Sequence, residues 1–468
     1  MSKKEKQVRF EKVTIGEMAA EGKCVARVND KVIFTEFLAP GDVADIRIYK
    51  TKKKFAFAKA EHIHEYSTTR TTPVCEHFGT CGGCKWQHIT YENQAHYKEK
   101  QVKDNLERIG KINVEEYLPI VQAKTVYNYR NKLEFSFSDK RWLTNEEIGT
   151  ESTLDTMNGL GFHVPERFDK VLDIKKCHLQ EEPSNAIRLE IRKFALEHQI
   201  PFYNLREHLG VLRNLIIRNT SLEELMVILQ VRELTGKVQA LLEHLKITFP
   251  EITSLQYVVN TKSNDTFHDL DIHLFHGKPF ITEQMENLQF RISPKSFYQT
   301  NSAQAYELYK VTREFAGLTG NENVYDLYTG TGTIANFVAA KAKKVTGIEY
   351  VPMAIEDAKI NSSINNIHNT SFYAGDVKDL LTDSFLEKEG LPDVIITDPP
   401  RAGMHEHVIQ KILELAPKRI VYVSCNPATQ ARDLALMNEK YAVKKVRPVD
   451  MFPQTHHVEN VALLEKIN

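Results

Sequence analysis

The pattern of apolar and polar positions changes along the chain and predicts three regions. From about residue 290 onward, short apolar runs alternate with stretches long enough to be helices. This alternation is typical of a doubly wound parallel sheet with helices on both faces. The predicted strands are 324–328, 344–347, 371–374, 394–397, 420–424 and 443–449. We therefore predict a Rossmann-like α/β domain over residues 291–468.

The first 65 residues contain short runs of branched and aromatic residues between Gly, Asn, Asp and Pro turns. The runs are 13–15, 24–28, 31–37, 43–49 and 55–62. Five such strands predict a small closed barrel of the oligonucleotide-binding type over residues 1–65. Lys52–Lys54 would lie in a hairpin loop near Tyr49, Phe55 and Phe57, where cations and rings suit RNA, although a lysine run is also typical of a solvated loop.

Residues 66–290 read as a mixed α+β region. Tyr91–Ile109 is predicted to be a polar helix, and strands are predicted at 212–218, 224–231 and 272–275. Residues 127–132 form an aromatic and basic cluster, which is consistent with either a nucleic-acid contact or an exposed strand edge.

Composition narrows the class of protein. The chain has 468 residues, 42% of them hydrophobic and 26% charged, as in soluble proteins of several domains. The N-terminus has no apolar leader segment and no run is long enough to span a bilayer, so we expect a cytoplasmic protein without a membrane partner. The net charge of −1 gives no general attraction to polyanions, and nothing indicates an obligate oligomer, so a monomer is expected.

Cys425 is the strongest candidate for chemistry. It lies in residues 423–427 (VSCNP), directly after a predicted buried strand, where Asn and Pro mark a turn. Asp398 follows another predicted strand, and Glu459 lies a little farther along the chain. A nucleophile, a carboxylate and a possible general base are thus grouped in one stretch, although a lone cysteine is commonly a small core residue.

A glycine-bearing loop at residues 326–333 (DLYTGTGT) predicts a cofactor site. Gly330 and Gly332 allow a ligand to approach the backbone at the start of a helix. A nicotinamide dinucleotide fingerprint would have a third Gly where Ala335 stands. Glu349 ends the next strand, where a carboxylate can accept both hydroxyls of a ribose. These features favour S-adenosylmethionine over NAD, and a tight turn without a ligand is the other alternative.

Four more cysteines predict a metal site. Cys75, Cys81 and Cys84 share a glycine-bearing loop, and Cys177 provides a fourth thiol. In a cytoplasmic protein such a set indicates metal rather than disulfides. The spacing lacks the paired C-x2-C arrangement of a zinc ribbon, and the glycines leave room for a larger group, which favours [4Fe–4S] over zinc. Cys24 is predicted to be a core residue.

These segments together resemble the RNA 5-methyluridine methyltransferases, which methylate C5 of uridine in transfer and ribosomal RNA. The resemblance covers nearly the whole chain, including the family's N-terminal TRAM domain at residues 1–65. It is most specific in residues 398–403 (DPPRAG), 422–429 (YVSCNPAT) and 450–459 (DMFPQTHHVE). Residues 296–301 (SFYQTN) resemble the segment that reaches the cofactor ahead of the glycine loop.

The resemblance implies an RNA (uracil-C5)-methyltransferase that uses S-adenosylmethionine. By resemblance, Gln299, Tyr328, Glu349 and Asp398 contact the cofactor, and Asp376 is a further candidate. The four-cysteine set is similar to that of the iron–sulfur branch, whose members act chiefly on large-subunit (23S) ribosomal RNA. Ribosomal RNA is therefore the expected partner, and transfer RNA is the alternative.

The implied mechanism assigns Cys425 as the nucleophile that adds to C6 of a flipped uridine and Glu459 as the base that removes the C5 proton. Phe297 and Tyr298 are candidates for stacking on the base, although either is also consistent with a core residue. Two other functions stay open. One is an amino-group methyltransferase that uses Asp398, although such sites need no thiol, and the other is a non-catalytic RNA-binding or assembly factor with this fold.

Overall fold

The computed structural model describes residues 8–144, 147–149 and 156–467. The first seven residues, where we predicted the absence of a leader segment, lie outside these ranges. Within them, the strands form sheets of five, seven, two and eight strands. None of the helices in the described ranges combines the length and apolar character that crossing a membrane requires.

The N-terminal sheet has five short strands, as the sequence predicts. They are β1 (Arg9–Thr14), β2 (Cys24–Val28), β3 (Lys31–Thr35), β4 (Val43–Thr51) and β5 (Phe55–Glu65). Their order is β1-β4-β5-β3-β2. Alternate residues point inward because side chains in a strand alternate between its faces, and Ile33, Ala44, Ile46 and Ala56 are fully buried. The pairing ends at β1 and β2, so closure into a barrel stays a prediction.

The middle of the chain supplies a seven-stranded sheet in the order β13-β12-β11-β10-β7-β8-β9. Two helices, α2 and α3, pack on it through a shared apolar cluster that includes Ile187, Ile191, Leu241 and Leu245. The predicted helix is confirmed as α1, but α-helical geometry ends at Asp104 and a π turn continues to Gly110. The elements are α1 (Tyr91–Asp104), β6 (Val114–Tyr117), β7 (Lys132–Ser138), β8 (Gly159–Val164), β9 (Arg167–Asp173), α2 (Ser184–Glu197), β10 (Leu212–Asn219), β11 (Leu225–Val231), α3 (Gly236–Thr248), β12 (Ile252–Val259), β13 (Ile272–Gly277), β14 (Ile281–Met285) and β15 (Leu288–Ile292).

The C-terminal part alternates strands and helices, which confirms the predicted Rossmann-like α/β fold. Its elements are α4 (Ser302–Ala316), β16 (Asn323–Leu327), α5 (Thr333–Ala339), β17 (Lys344–Glu349), α6 (Pro352–Ile364), β18 (Thr370–Ala374), α7 (Val377–Leu380), α8 (Asp383–Glu389), β19 (Val394–Thr397), α9 (Glu406–Leu415), β20 (Arg419–Ser424), α10 (Pro427–Met437), β21 (Tyr441–Val449) and β22 (Glu459–Lys466). The eight-stranded sheet has the order β18-β17-β16-β19-β20-β22-β21-β6.

One strand of this sheet differs from the prediction of a parallel sheet. β22 was not predicted, and it pairs antiparallel with both β20 and β21. The sheet is therefore mixed. Because β22 runs the other way, it begins at the edge where the parallel strands end, and its first residue is Glu459.

Secondary-structure elements of the middle region also pair with and pack against the C-terminal region. β6, from the middle region, is the edge strand of the eight-stranded sheet and pairs parallel with β21. Helix α1 packs against α10 and β21, and its Lys98 forms a fully buried ion pair with Asp450. The division into residues 1–65, 66–290 and 291–468 therefore stays a prediction.

Candidate active site

Five parallel strands end at one edge of the eight-stranded sheet, and the predicted site residues follow them. In open α/β sheets, this carboxyl edge is where ligands bind. Glu349 ends β17, and Tyr328, Asp376, Asp398 and Cys425 follow β16, β18, β19 and β20 within two residues. The fold therefore places at one edge residues that are far apart in sequence.

Cys425 lies in the turn between β20 and α10. Asn426 caps α10, because its side-chain oxygen accepts a hydrogen bond from the Ala428 N–H at 3.2 Å. The amide of Asn426 and the hydroxyl of Thr429 both donate to the carbonyl of Arg401, at 3.1 and 3.2 Å. The loop after β19 is thereby tied to the loop that carries Cys425.

Glu459 lies next to Cys425 across the sheet. Ser424 pairs with Asn460 in the antiparallel ladder, so the adjacent positions, Cys425 and Glu459, are neighbours at its end. Glu459 is only 4% exposed. Burial raises the pKa of Glu459 above its ordinary value of 4.5, and the Asp398 carboxylate raises it further, while the Arg401 guanidinium opposes the rise. A proton is therefore held at this carboxyl well into the neutral range.

The thiol of Cys425 is half-buried among these charges. Burial raises the pKa of Cys425 to about 11, and the carboxylates of Glu459 and Asp398 add to that rise. The Arg401 guanidinium acts in the opposite direction through its charge and a side-chain hydrogen bond to the thiol. Arg401 is thus the cation that favours the thiolate, which is the reactive form.

Asp398 and Asp326 extend this acidic cluster toward the glycine loop. Burial and the Asp326 carboxylate raise the pKa of half-buried Asp398. Asp326 is fully buried and accepts a hydrogen bond from the Thr329 hydroxyl at 2.5 Å, and burial raises its pKa to about 7. Such shifts concentrate at functional sites, because a closed cleft both desolvates carboxylates and brings them together.

The glycine loop has the backbone that the sequence predicts. Tyr328, Gly330 and Gly332 have φ angles of 64°, 56° and 72°, in the left-handed region. A Cβ atom at Gly332 would come within 2.8 Å of the Ala358 side chain, whereas nothing lies within 4 Å of one at Gly330. The N–H of Gly330 donates to the Glu349 carboxylate at 3.2 Å. The loop therefore leaves open space beside a carboxylate that ends β17.

The segment at residues 296–301 is fixed by the middle of the chain. Arg218 donates to the carbonyl of Tyr298 at 3.0 Å, and Asn131 donates to the carbonyl of Gln299 at 2.9 Å. Tyr298 is only 4% exposed and packs in the core, whereas Phe297 is 68% exposed. Of the two stacking candidates, Tyr298 is therefore the core residue, which was the alternative for either ring, and Phe297 is the accessible one.

Asp376 lies at the same edge, and its carboxylate contacts Lys378. It caps α7 by accepting a hydrogen bond from the Lys378 N–H at 3.1 Å, and it forms an ion pair with the Lys378 ammonium at 3.0 Å. Burial opposes ionisation, but these contacts lower the pKa of Asp376 overall. A cofactor contact by Asp376 stays a prediction.

Sequence reasoning missed the role of Arg401 and left that of His457 open. Arg401 follows the Asp-Pro-Pro motif directly, which is the signal that could have indicated it. Burial and, to a smaller extent, the charges of His456 and Arg401 lower the pKa of His457 to about 3. Its ring is therefore neutral at pH 7. The ring lies 6.5 Å from that of Phe452 between centroids.

The four predicted metal ligands line one cavity of about 160 Å³. Cys75, Cys81, Cys84 and Cys177 are all free thiols there. Burial raises the pKa of Cys81 to about 12 and that of Cys84 to about 11, and the neighbouring thiols raise both further. In the described part of the chain, however, no group of three or more His, Cys, Asp or Glu side chains is arranged to hold a metal ion. That geometry does not support the predicted cluster, although a donor set of four thiols around one cavity is chemically suited to it.

Comparison with protein families gives two matches. Residues 221–467 match the model described as tRNA (Uracil-5-)-methyltransferase. Residues 4–60 match the TRAM domain.

Individual relatives match almost the whole chain. A protein of Bacteroides thetaiotaomicron named as an uncharacterized RNA methyltransferase is 60% identical over 96% of this chain and 100% of the relative. One of the same name from Porphyromonas gingivalis is 56% identical over 96% of this chain and 98% of the relative. A similar solved structure is the Pyrococcus abyssi tRNA (uracil-54, C5)-methyltransferase in complex with S-adenosyl-L-homocysteine. It has a TM-score of 0.74 and 28% identity, covering 98% of this chain and 100% of that one.

Proposed function

Because the chain belongs to the tRNA (uracil-5-)-methyltransferase family, we propose that it methylates C5 of a uridine in RNA through a covalent bond from Cys425 to C6 of the base. The observation that carries this proposal is the grouping of the Cys425 thiol with Glu459, Asp398 and Arg401 at the carboxyl edge of the sheet. An N-methylation site needs no thiol in this position, and a non-catalytic RNA-binding protein needs none of the four.

The residues suit a sequence of addition and elimination. The Cys425 thiol loses its proton to solvent, the thiolate adds to C6, and the electron pair of the C5–C6 double bond moves onto the O4 enolate. Bound S-adenosylmethionine would supply an electrophilic methyl group, so that C5 gains a methyl and S-adenosylhomocysteine is left. Glu459 then takes the proton from C5, the C5–C6 double bond re-forms, and the bond from sulfur to C6 breaks. The raised pKa of Glu459 means that its ionised form is a stronger base than an ordinary carboxylate.

The cofactor proposed for this edge is S-adenosylmethionine. The similar Pyrococcus abyssi enzyme was solved with S-adenosyl-L-homocysteine, its demethylated product. In this chain, Glu349 is assigned to the ribose hydroxyls and the backbone at Gly330 to close approach of the ligand. Gln299, Tyr328, Asp376 and Asp398 are assigned as further contacts. Asp398 is well placed for the sulfonium, because a carboxylate there would be stabilised by the positive charge.

A [4Fe–4S] cluster is proposed for the cavity lined by Cys75, Cys81, Cys84 and Cys177. The support is the chemistry of the set, since four free thiols converge on one cavity without forming disulfides. A bound cluster would supply covalent ties between the loop at residues 75–84 and Cys177, about ninety residues later. No step of the methylation is assigned to it.

The RNA proposed as substrate is large-subunit (23S) ribosomal RNA, on the resemblance of the four-cysteine set to the iron–sulfur branch. Transfer RNA is the second candidate, because the similar Pyrococcus abyssi protein named for a tRNA uridine aligns over 98% of this chain. For RNA contact, the match to the TRAM domain coincides with a cluster of rings on β3–β5. Phe57 lies 5.9 Å from Phe34 and 6.3 Å from Tyr49, and Lys50 and Lys59 lie over these rings.

Methyl transfer to defined RNAs tests the function and the target together. The purified protein is incubated with S-adenosylmethionine carrying a labelled methyl group and with unmodified 23S ribosomal RNA or transfer RNA transcripts. Nucleosides are then separated by mass spectrometry. We expect 5-methyluridine in the ribosomal transcript. Label in transfer RNA alone supports the second candidate, N-methylated nucleosides contradict C5 chemistry, and no label with either RNA indicates a non-catalytic protein.

A further inference from the structure

The segment that joins β21 to β22, residues 450–458, leads directly into Glu459. Gln454 in this segment has a φ angle of 68°, which is unfavourable for a residue other than glycine. Such a backbone persists only where neighbouring groups hold it. The contacts that hold this segment therefore determine where β22 begins and where the Glu459 side chain lies.

Gln94, on helix α1, makes a reciprocal pair of hydrogen bonds with the strained residue. Its side-chain amide donates to the Gln454 side-chain oxygen at 3.0 Å, and its own oxygen accepts from the Gln454 N–H at 2.8 Å. Gln94 is only 1% exposed. Because both partners are buried, neither can exchange this bond for water.

Lys98 lies one helical turn farther along the same face of α1. Its ammonium is fully buried and donates to the Asp450 carboxylate at 2.6 Å and to the carbonyl of Phe452 at 3.0 Å. A buried ammonium requires a charged partner, and a second acceptor fixes its direction. The two side chains, spaced i and i+4, thus hold the segment at its start and in its middle.

We infer that Gln94 and Lys98 are positioning residues for the proposed base, Glu459. They act through the segment at residues 450–458, and the inference rests on the function proposed above. Cys425 lies on a different loop, which is held through Asn426 and Arg401. Loss of the α1 contacts should therefore misplace the base while leaving the nucleophile in position.

RNA containing 5-fluorouridine separates these two steps. Fluorine at C5 cannot be removed as a proton, so the adduct with Cys425 accumulates whether or not a base is present. With ordinary uridine, release of the RNA requires removal of the C5 proton. The ratio of adduct formation to release therefore reports the base alone, and a general loss of folded protein would lower both rates together.

The decisive variant is Gln94→Leu, measured as the full-length protein beside Gln101→Leu on the same helix. The side chain of Gln101 makes no hydrogen bond to residues 450–458, which lie wholly in the described part of the chain. We expect Gln94→Leu to form the 5-fluorouridine adduct at the wild-type rate but to release ordinary methylated RNA at least about tenfold more slowly, since displacement by an ångström costs up to a hundredfold.

Lys98→Met gives an independent measurement and should show the same split. Release at the wild-type rate in Gln94→Leu would overturn the inference, and so would an equal fall in adduct formation and release. If the wild-type protein formed no 5-fluorouridine adduct, the proposed function itself would fail. That result is distinct, because it does not depend on any α1 variant.

Discussion

Cys425 and the four thiols of the cavity at Cys75, Cys81, Cys84 and Cys177 are all partly buried cysteines with raised pKa values, yet their neighbours differ. Cys425 is surrounded by two carboxylates and a guanidinium, at the open edge of a sheet. The cavity thiols have each other as neighbours, and the charged groups near them are Arg188 and Arg130 at Cys177, Arg130 at Cys84 and Glu76 at Cys75. Burial alone therefore does not distinguish a nucleophile from a ligand. The distinction depends on the neighbouring side chains, because Glu459 and Asp398 can accept a proton near Cys425 and Arg401 can balance the charge of its thiolate.

Removal of Cys425 should produce the largest effect. Cys425→Ala removes the sulfur that we propose adds to C6, so we expect methyl transfer to fall at least about a thousandfold, as for other covalent catalysts. No adduct should form with 5-fluorouridine RNA on a denaturing gel. Cys24→Ala is the matched control, because Cys24 is 1% exposed in the core of the N-terminal sheet and should not affect the adduct. An adduct that persists in Cys425→Ala would exclude Cys425 as the nucleophile.

Replacement of Glu459 should leave addition intact and block release. Glu459→Gln removes the acceptor proposed for the C5 proton, so turnover should fall by about 10²- to 10⁴-fold, the usual contribution of a general base. Methylated RNA should remain bound to Cys425 and be visible by mass spectrometry of the protein–RNA adduct. Normal turnover in this variant would show that another group removes the proton.

Much of this edge follows from local sequence. The glycine loop and the carboxylates at strand ends are predictable because a strand, a turn and a helix start are encoded within about ten residues. The reversed strand β22 was not predicted, because its place in the sheet depends on pairing with β20, which lies more than thirty residues earlier in the chain. The contact between Arg401 and Cys425 depends on two loops meeting, and the burial of Tyr298 depends on how the middle of the chain packs. Neither is visible in a local pattern.

Changes in the cysteine cavity should affect chemistry less than changes at the edge. Cys84→Ala removes one of four thiols, so we expect loss of iron and acid-labile sulfide from anaerobically purified protein. Adduct formation with 5-fluorouridine RNA should fall by less than about tenfold, which corresponds to about 1.4 kcal/mol. Cys24→Ala should retain its iron. Wild-type protein that contains no iron after anaerobic purification would contradict the proposed cluster. Loss of the adduct in Cys84→Ala would show that a cavity thiol affects adduct formation as strongly as Cys425 does.

The smallest expected effect is on stability and depends on pH. Because the folded protein raises the pKa of Glu459 above 4.5, it binds the Glu459 proton more tightly than the unfolded chain does. The free energy of unfolding should therefore decrease as pH rises above that value, by about 1.4 kcal/mol for each unit by which the pKa is raised. Glu459→Gln carries no such proton, so urea unfolding should show it equal to the wild type near pH 5 and more stable at pH 8. Glu387→Gln, at an exposed position on α8, is the control for removing a carboxylate from the surface. An identical pH profile for Glu459→Gln and the wild type would mean that the pKa of this carboxyl is not raised. The edge and the cavity would then differ only in which side chains surround their thiols.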